Sequence, residues 1–120
     1  MIIVDTSVWI EFFRNKNILL IERLTEFLEN GSAIGLSPVF GELWQGASNE
    51  EGAIISEFWE SIPKINEENL FIEAGKLSNR LKFFSKGVSL IDCYLLAAAK
   101  KYNLNLWTLD KKLQEAYLKL

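Results

Sequence analysis

The fold is decided by the stretch that opens the chain, Met1-Ile2-Ile3-Val4-Asp5-Thr6-Ser7. Its first four residues form a short apolar run rich in β-branched side chains, which predicts a buried strand. The next three are residue types that favour turns and helix N-termini, and residues 8–13 then predict a short helix. A buried strand that ends on an acid and passes at once into a helix is typical of an α/β fold.

The rest of the chain alternates between helical and strand-like patterns. Apolar residues at helical spacing, framed by capping and stop residues, predict helices over residues 18–28, 38–47, 49–62, 69–84, 89–102 and 111–118. Ser37, Asn49 and Ser89 are the expected N-terminal caps of three of them. Residues 33–36 and 104–108 predict strands, and residues 63–65 predict a short strand or a loop. This order predicts an α/β domain over residues 1–120 with a mostly parallel sheet.

Composition restricts the classes of function. Hydrophobic residues make up 49% of the 120 residues, which is enough to build a core. The single cysteine, Cys93, rules out an internal disulfide. The chain has no histidine, so the commonest general base, the commonest zinc ligand and every Ser-His or Cys-His pair are absent. We see no secretory signal and no apolar run that would span a bilayer, and we expect a cytoplasmic protein with no membrane contact.

Charge is unevenly distributed along the chain. Residues 1–60 hold three Lys and Arg against ten Asp and Glu, whereas residues 61–120 hold ten against six. The net charge of −3 makes a poor general binder of nucleic acid. Divalent cations bound by clustered acids would nevertheless change the field that a phosphate meets beside them. Four lysines are either phosphate contacts or ordinary exposed residues: Lys100, Lys101, Lys111 and Lys112.

Four acids stand at strand ends or near helix starts: Asp5, Glu42, Asp92 and Asp110. Ligands of open α/β sheets bind beyond the carboxyl ends of the strands, so Asp5 and Asp110 are expected at one edge. Asp92 precedes an almost uninterrupted apolar helix, where a carboxylate needs a partner or a metal. Each acid also has a structural alternative, because three of them suit helix caps and Glu42 suits an exposed helix face.

Acids that converge in one cleft repel one another. Hard cations that prefer oxygen ligands, such as Mg²⁺ or Mn²⁺, relieve this repulsion. Such an ion binds a phosphate oxygen, lowers the pKa of a bound water and stabilises a leaving oxygen. The residues therefore allow phosphodiester hydrolysis without histidine.

Four segments of this sequence carry a family resemblance. They are Ile-Val-Asp-Thr-Ser-Val-Trp-Ile at residues 3–10, Ser-Pro-Val-Phe-Gly-Glu-Leu-Trp-Gln-Gly-Ala at 37–47, Gly-Val-Ser-Leu-Ile-Asp-Cys-Tyr-Leu-Leu-Ala-Ala at 87–98 and Leu-Trp-Thr-Leu-Asp at 106–110. In sequence and in order they resemble the four motifs of the PIN-domain family, and within it the VapC-type toxins of toxin–antitoxin pairs.

The resemblance implies a three-layer α/β/α fold and cleavage of RNA that depends on Mg²⁺ or Mn²⁺. It implies that Asp5 and Asp92 are the main metal ligands, and that Glu42 and Asp110 complete a catalytic cluster directly or through water. Three hydroxyl-bearing side chains are expected either to hold these carboxylates or simply to cap helices: Thr6, Ser7 and Thr108.

The resemblance also implies partners, namely a second copy of the chain in a homodimer and a cognate antitoxin that inserts a segment over the acidic cleft. Four aromatic residues either line an apolar groove for that segment or pack in the core: Trp9, Phe12, Phe13 and Trp44.

The sequence departs from the family at its fourth motif. Many relatives carry a second acid two residues after Asp110, where this chain has Lys112, and an aromatic next, where it has Leu113. A catalytically inactive PIN-like module that only binds a partner is therefore an alternative. So is a phosphoryl-transfer domain of the receiver or haloacid-dehalogenase type, although the latter usually has a second Asp at the position of Ser7. A DNA nuclease is a further alternative, because carboxylates and metal do not select RNA by themselves.

Overall fold

All 120 residues are described by a computed structural model. Three strands, β1 (Ile2–Val4), β2 (Ala33–Ile34) and β3 (Asn105–Trp107), form one parallel sheet in the order β2-β1-β3. Every residue of β1 is buried. Because successive side chains of a strand point to opposite faces, both faces of β1 are covered. The predicted α/β fold with a parallel sheet is confirmed.

Seven helices surround this sheet. They are α1 (Thr6–Arg14), α2 (Ile18–Glu29), α3 (Ser37–Gln45), α4 (Asn49–Ser61), α5 (Leu70–Leu81), α6 (Leu90–Tyr102) and α7 (Lys111–Leu118). Helices α1 to α4 pack with one another, and α5 to α7 pack with one another. None of the helices is long and apolar enough to cross a membrane.

Helix α6 is the most deeply buried element. Its seven consecutive residues from Cys93 to Ala99 are all buried within the core of 29 residues. Helices that are apolar on every side belong in the interior. As a result, the N-terminal turn of α6 and its Asp92 are held in a fixed position relative to the sheet.

At two helix ends the structure shows why the observed end differs from the predicted one. Ser48, and not Asn49, caps α4, because its hydroxyl accepts the Glu51 amide while the Glu51 carboxylate accepts the Ser48 amide. Helix α5 ends at Leu81, and not at residue 84, because Lys82 adopts a positive φ of 58°. This break turns Phe83 into the core, where its side chain is 1% exposed. A 3-10 helix, Phe84–Lys86, follows and ends at Gly87.

Residues 63–65 contribute a single parallel bridge and no strand. The bridge joins Gly35 to Lys64, and the Gly35 amide donates to the Pro63 carbonyl at 2.9 Å. A Cβ at Gly35 would lie 2.7 Å from the side chain of Ile62. Only glycine therefore allows this loop to approach the end of β2.

Candidate active site

Asp5 lies directly after β1 and is the one charged or polar side chain among the buried residues, with 8% of it exposed. Its amide donates to the carbonyl of Trp107 at 2.9 Å, which ties it to the end of β3. Asp5 occupies the cap position of α1, but its carboxylate makes no capping hydrogen bond. The capping alternative therefore fails for this residue.

Two hydroxyls hold the Asp5 carboxylate instead. Ser7 Oγ and Thr108 Oγ1 each donate to Oδ2 of Asp5 at 2.7 Å. The amides of Leu109 and Asp110 in turn donate to these two hydroxyls at 3.0 Å, so the turn after β3 fixes their orientation. Both donors use the same carboxylate oxygen, which leaves Oδ1 free to take another ligand.

Glu42 lies one turn inside α3, and its side chain is joined to the same edge by Thr6. The Thr6 hydroxyl donates to Oε1 of Glu42 at 2.7 Å. Since α1 and α3 pack together, this bond places an acid of the second motif beside the turn that holds Asp5. All three hydroxyls, those of Thr6, Ser7 and Thr108, thus donate to site carboxylates.

Asp92 lies in the first turn of α6, whose N-terminus is capped by Ser89 through a 3.0 Å hydrogen bond from the Asp92 amide. Burial raises the pKa of the Asp92 carboxyl, and the negative charges of Asp5 and Asp110 raise it further, while hydrogen bonding to Ser89 lowers it. Asp92 is therefore an electrostatic neighbour of both acids that follow the strands. This neighbourhood has no compensating cation, because neither of the two ion pairs in the molecule includes these acids.

Asp110 is a helix cap, which was the structural alternative predicted for it. Its Oδ1 accepts the amide of Lys112 at 2.9 Å and that of Leu113 at 3.4 Å, so it caps α7. The other oxygen, Oδ2, has no protein donor, and the charge still acts on Asp92. At the departures from the family motif, Lys112 is exposed, whereas Leu113 is fully buried and packs in the core.

Three of the predicted acids, Asp5, Asp92 and Asp110, are thus electrostatic neighbours at the carboxyl edge of the sheet. The fourth, Glu42, is held beside this edge by Thr6. No group of three or more Asp, Glu or Cys side chains converges tightly enough to hold a metal ion in this arrangement. The donor set nevertheless consists of carboxylate and hydroxyl oxygens, which fits Mg²⁺ or Mn²⁺ and not a soft metal. We name this set, Asp5, Glu42, Asp92 and Asp110, the acidic edge.

Comparison with known proteins identifies the family of this chain. A family model described as the PIN domain matches residues 2–119. The chain belongs to the PIN domain family. It is also 31% identical over 120 residues to Ribonuclease VapC32 of Mycobacterium tuberculosis, in strain CDC 1551 / Oshkosh and equally in strain ATCC 25618 / H37Rv, and the match covers 97% of this chain and 90% of the relative. The VapC-type resemblance is thereby confirmed, and the receiver and dehalogenase alternatives are left without support.

The four aromatic residues predicted for a groove in this PIN domain separate into two roles. Trp9 is fully buried and belongs to the core, so the groove hypothesis is wrong for it. Phe12 is half-buried against the core, and Trp44 is 48% exposed and lies against Gly52 of α4. Phe13 does line a groove of about 350 Å³, together with Ile10, Leu43 and Ile55, and this groove includes Glu42.

Glu67 is a residue of this PIN domain that the sequence did not single out. It lies between α4 and α5, and its carboxylate accepts the Ser37 amide at 3.1 Å, the Ser37 hydroxyl at 3.0 Å and the Tyr94 hydroxyl at 2.6 Å. Burial, together with the hydrogen bond to Glu67 and its charge, raises the pKa of Tyr94 to about 12, so that Tyr94 remains a donor.

This contact ties α3, which carries Glu42, to α6, which carries Asp92. The one sequence signal for it is weak: α3 has no acid in its own first turn, so its free amides need an acceptor from elsewhere. The predicted cap, Ser37, is the first residue of α3, and its side chain bonds Glu67 and not the helix backbone.

Proposed function

We propose that this PIN domain is an endoribonuclease of the VapC type that depends on Mg²⁺ or Mn²⁺. The observation that carries the proposal is the buried Asp5 carboxylate, which has no Lys or Arg partner and is a neighbour of Asp92, itself a neighbour of Asp110. A buried charge without a partner lowers stability, and a bound cation removes that cost. The name of the M. tuberculosis relative, Ribonuclease VapC32, supports RNA as the substrate.

We assign the following roles at the acidic edge. Asp5 and Asp92 hold the ion, and Glu42 and Asp110 complete its surroundings directly or through water. Such an ion, when bound, supplies an activated water and charge stabilisation at the phosphate. Ser7 and Thr108 keep Oδ2 of Asp5 occupied and leave Oδ1 free for the ion, while Thr6 fixes Glu42.

The proposal includes partners and a location. The groove beside Glu42 accepts an apolar segment of a cognate antitoxin, because Ile10, Phe13 and Leu43 are among the residues that line it. A ligand seated there covers one side of the acidic edge and blocks access of RNA. We place the protein in the cytoplasm and expect it to form a homodimer.

The deciding experiment uses purified, partner-free protein and a mixed RNA pool. We expect cleavage with Mg²⁺ or Mn²⁺, none after EDTA, and none from an Asp92→Asn variant that remains folded. A folded wild-type protein that cleaves no RNA and binds no ion would contradict the proposal and favour the partner-binding module, which Lys112 in place of an acid first suggested. A protein that cuts DNA but no RNA would contradict the assignment of substrate.

A further inference from the structure

A basic groove lies between α5 and α6, outside the acidic edge. It has a volume of about 430 Å³, and its floor consists of Leu77 and Ala97. Its walls carry four cations and one acid: Lys76 and Arg80 on α5, Lys100 and Lys101 on α6, and Glu73. All four cations are exposed in a chain whose net charge is −3. This concentration of positive charge is therefore a local feature.

Most of these cations have no anionic partner. Lys101 pairs with Glu73 at 3.5 Å, and the other ion pair of the molecule joins Arg14 to Glu11, far along the chain. Lys76, Arg80 and Lys100 are therefore unpaired. Lys76 and Arg80 are also four residues apart on one helix, where like charges destabilise each other.

Helix electrostatics explain only part of the cluster. Cations in the last turn of a helix interact favourably with its macrodipole, which accounts for Arg80 on α5 and for Lys100 and Lys101 on α6. Lys76 lies in the middle of α5 and gains nothing from this effect. The fold itself thus gives no reason for the whole cluster, whereas a bound polyanion does.

Helix α6 connects the groove to the acidic edge. Asp92 lies in its first turn and Lys100 in its last. Eight residues of α-helix rise about 12 Å, a length that about three to four nucleotides cover at the 3.4 Å spacing of a stacked strand. A strand whose phosphate lies at Asp92 therefore reaches the groove within a few nucleotides if it follows α6.

We propose that this groove binds the phosphate backbone of the RNA on one side of the cleaved bond. The inference rests on the proposed function and adds a second contact region to it. Lys and Arg contacts to phosphates carry no sequence information, so the groove raises affinity for long RNA of any sequence. Selection of the cleavage sequence belongs to other residues.

The test measures binding separately from cleavage. Affinity for a fluorescently labelled single-stranded RNA is determined by anisotropy in EDTA, where no cleavage occurs, over a series of salt concentrations. The test variant is Lys76→Gln with Lys100→Gln, one cation from each wall. The matched control is Lys16→Gln with Lys119→Gln, which changes net charge equally outside the groove. Both variants are checked for folding by circular dichroism.

We expect the slope of log affinity against log salt to fall by about 1.4 in the test variant, since each phosphate contact to a single strand contributes about 0.7. The control should keep the wild-type slope. With Mg²⁺ present, the test variant should cleave long RNA more slowly than wild type. It should cleave a dinucleotide, which has one phosphodiester bond and is too short to span both regions, at the wild-type rate.

Equal slopes in the test and control variants would overturn the proposal. So would loss of self-association in the test variant with unchanged RNA binding, because that result would make the groove a protein interface. Failure of the proposed function gives a different pattern. In that case wild-type protein binds RNA with the groove-dependent slope but cleaves nothing when Mg²⁺ or Mn²⁺ is added.

Discussion

Two carboxylates of this PIN domain, those of Glu67 and Asp5, have opposite surroundings. Glu67 is surrounded by donors and accepts three groups from Ser37 and Tyr94. Asp5 is more deeply buried, yet both of its donors reach one oxygen and leave the other open, and its charged neighbours are acids. Satisfied carboxylates of the first kind stabilise a fold, whereas the second kind keeps a free oxygen and an uncompensated charge that a cation can use.

The largest effect that this comparison predicts is that of Asp92→Asn. We expect RNA cleavage to fall by more than about 100-fold, because even an outer partner of a metal ligand contributes 10–100-fold. The urea midpoint should stay the same or rise, since the change removes a carboxylate whose charge is disfavoured by burial and by Asp5 and Asp110. Retained cleavage, or a large loss of stability, would place Asp92 with the structural carboxylates.

Thr108→Val tests the next effect, the support of Asp5. Valine keeps the shape of threonine but removes one of the two hydroxyl donors to Oδ2. We expect Mn²⁺ affinity, measured by calorimetry, to fall by about 10–100-fold, as for other groups that orient metal ligands. Thr25→Val on α2 is the matched control and should leave affinity unchanged. Equal affinities in the two variants would mean that the hydroxyl only shapes the turn after β3.

Glu67→Ala should change stability far more than chemistry. Loss of an acceptor for three donors should lower the free energy of unfolding by about 2 kcal/mol, the middle of the range for hydrogen bonds to a charged group. That is about a 30-fold change in the folding equilibrium. Urea denaturation measures it, and Glu68→Ala is the control, because the Glu68 side chain makes no hydrogen bond. If cleavage per folded molecule fell as far as in Asp92→Asn, Glu67 could no longer be distinguished from the acids of the acidic edge.

The smallest effect concerns the pKa of Asp92 in metal-free protein. Asp110→Asn removes a negative charge that raises this pKa, so the pKa should move down towards the ordinary value of 3.8. Carbon-13 titration of the Asp92 carboxyl measures the change. The raised pKa of Asp92 also makes stability depend on pH. Because this pKa is higher in the folded than in the unfolded protein, Asp92 favours folding at low pH. That contribution is lost as the pH rises from 3.8 through the folded value. An upward shift or none in the Asn variant would mean that the two acids do not interact.

Features that depend on neighbouring residues could be predicted from the sequence. The buried run at the start of the chain, the acid after it and the apolar helix behind Asp92 each follow from neighbouring residues, and all three occur in the structure. The parallel order of the strands then brings Asp5 and Asp110 to one edge. The capping role of Asp110 was foreseen as its alternative, and the side chain both caps α7 and acts on Asp92.

Features that depend on contacts distant in sequence were not predictable. Glu67 reaches Ser37 across 30 positions and Tyr94 across 27, and nothing in its own neighbourhood marks it. Helix α5 ends at Leu81 and the break buries Phe83, a tertiary contact that helical periodicity does not record. The sequence left open whether Trp9 lines a groove or packs in the core, and the structure places it in the core.

The most direct test of the central claim is calorimetric titration of Mn²⁺ into three metal-free proteins: wild type, Asp92→Asn and Glu67→Gln. The account predicts binding to wild type, comparable binding to Glu67→Gln and loss of binding in Asp92→Asn. Binding that survives in Asp92→Asn, or that disappears only in Glu67→Gln, would contradict the claim that the acidic edge forms the metal site.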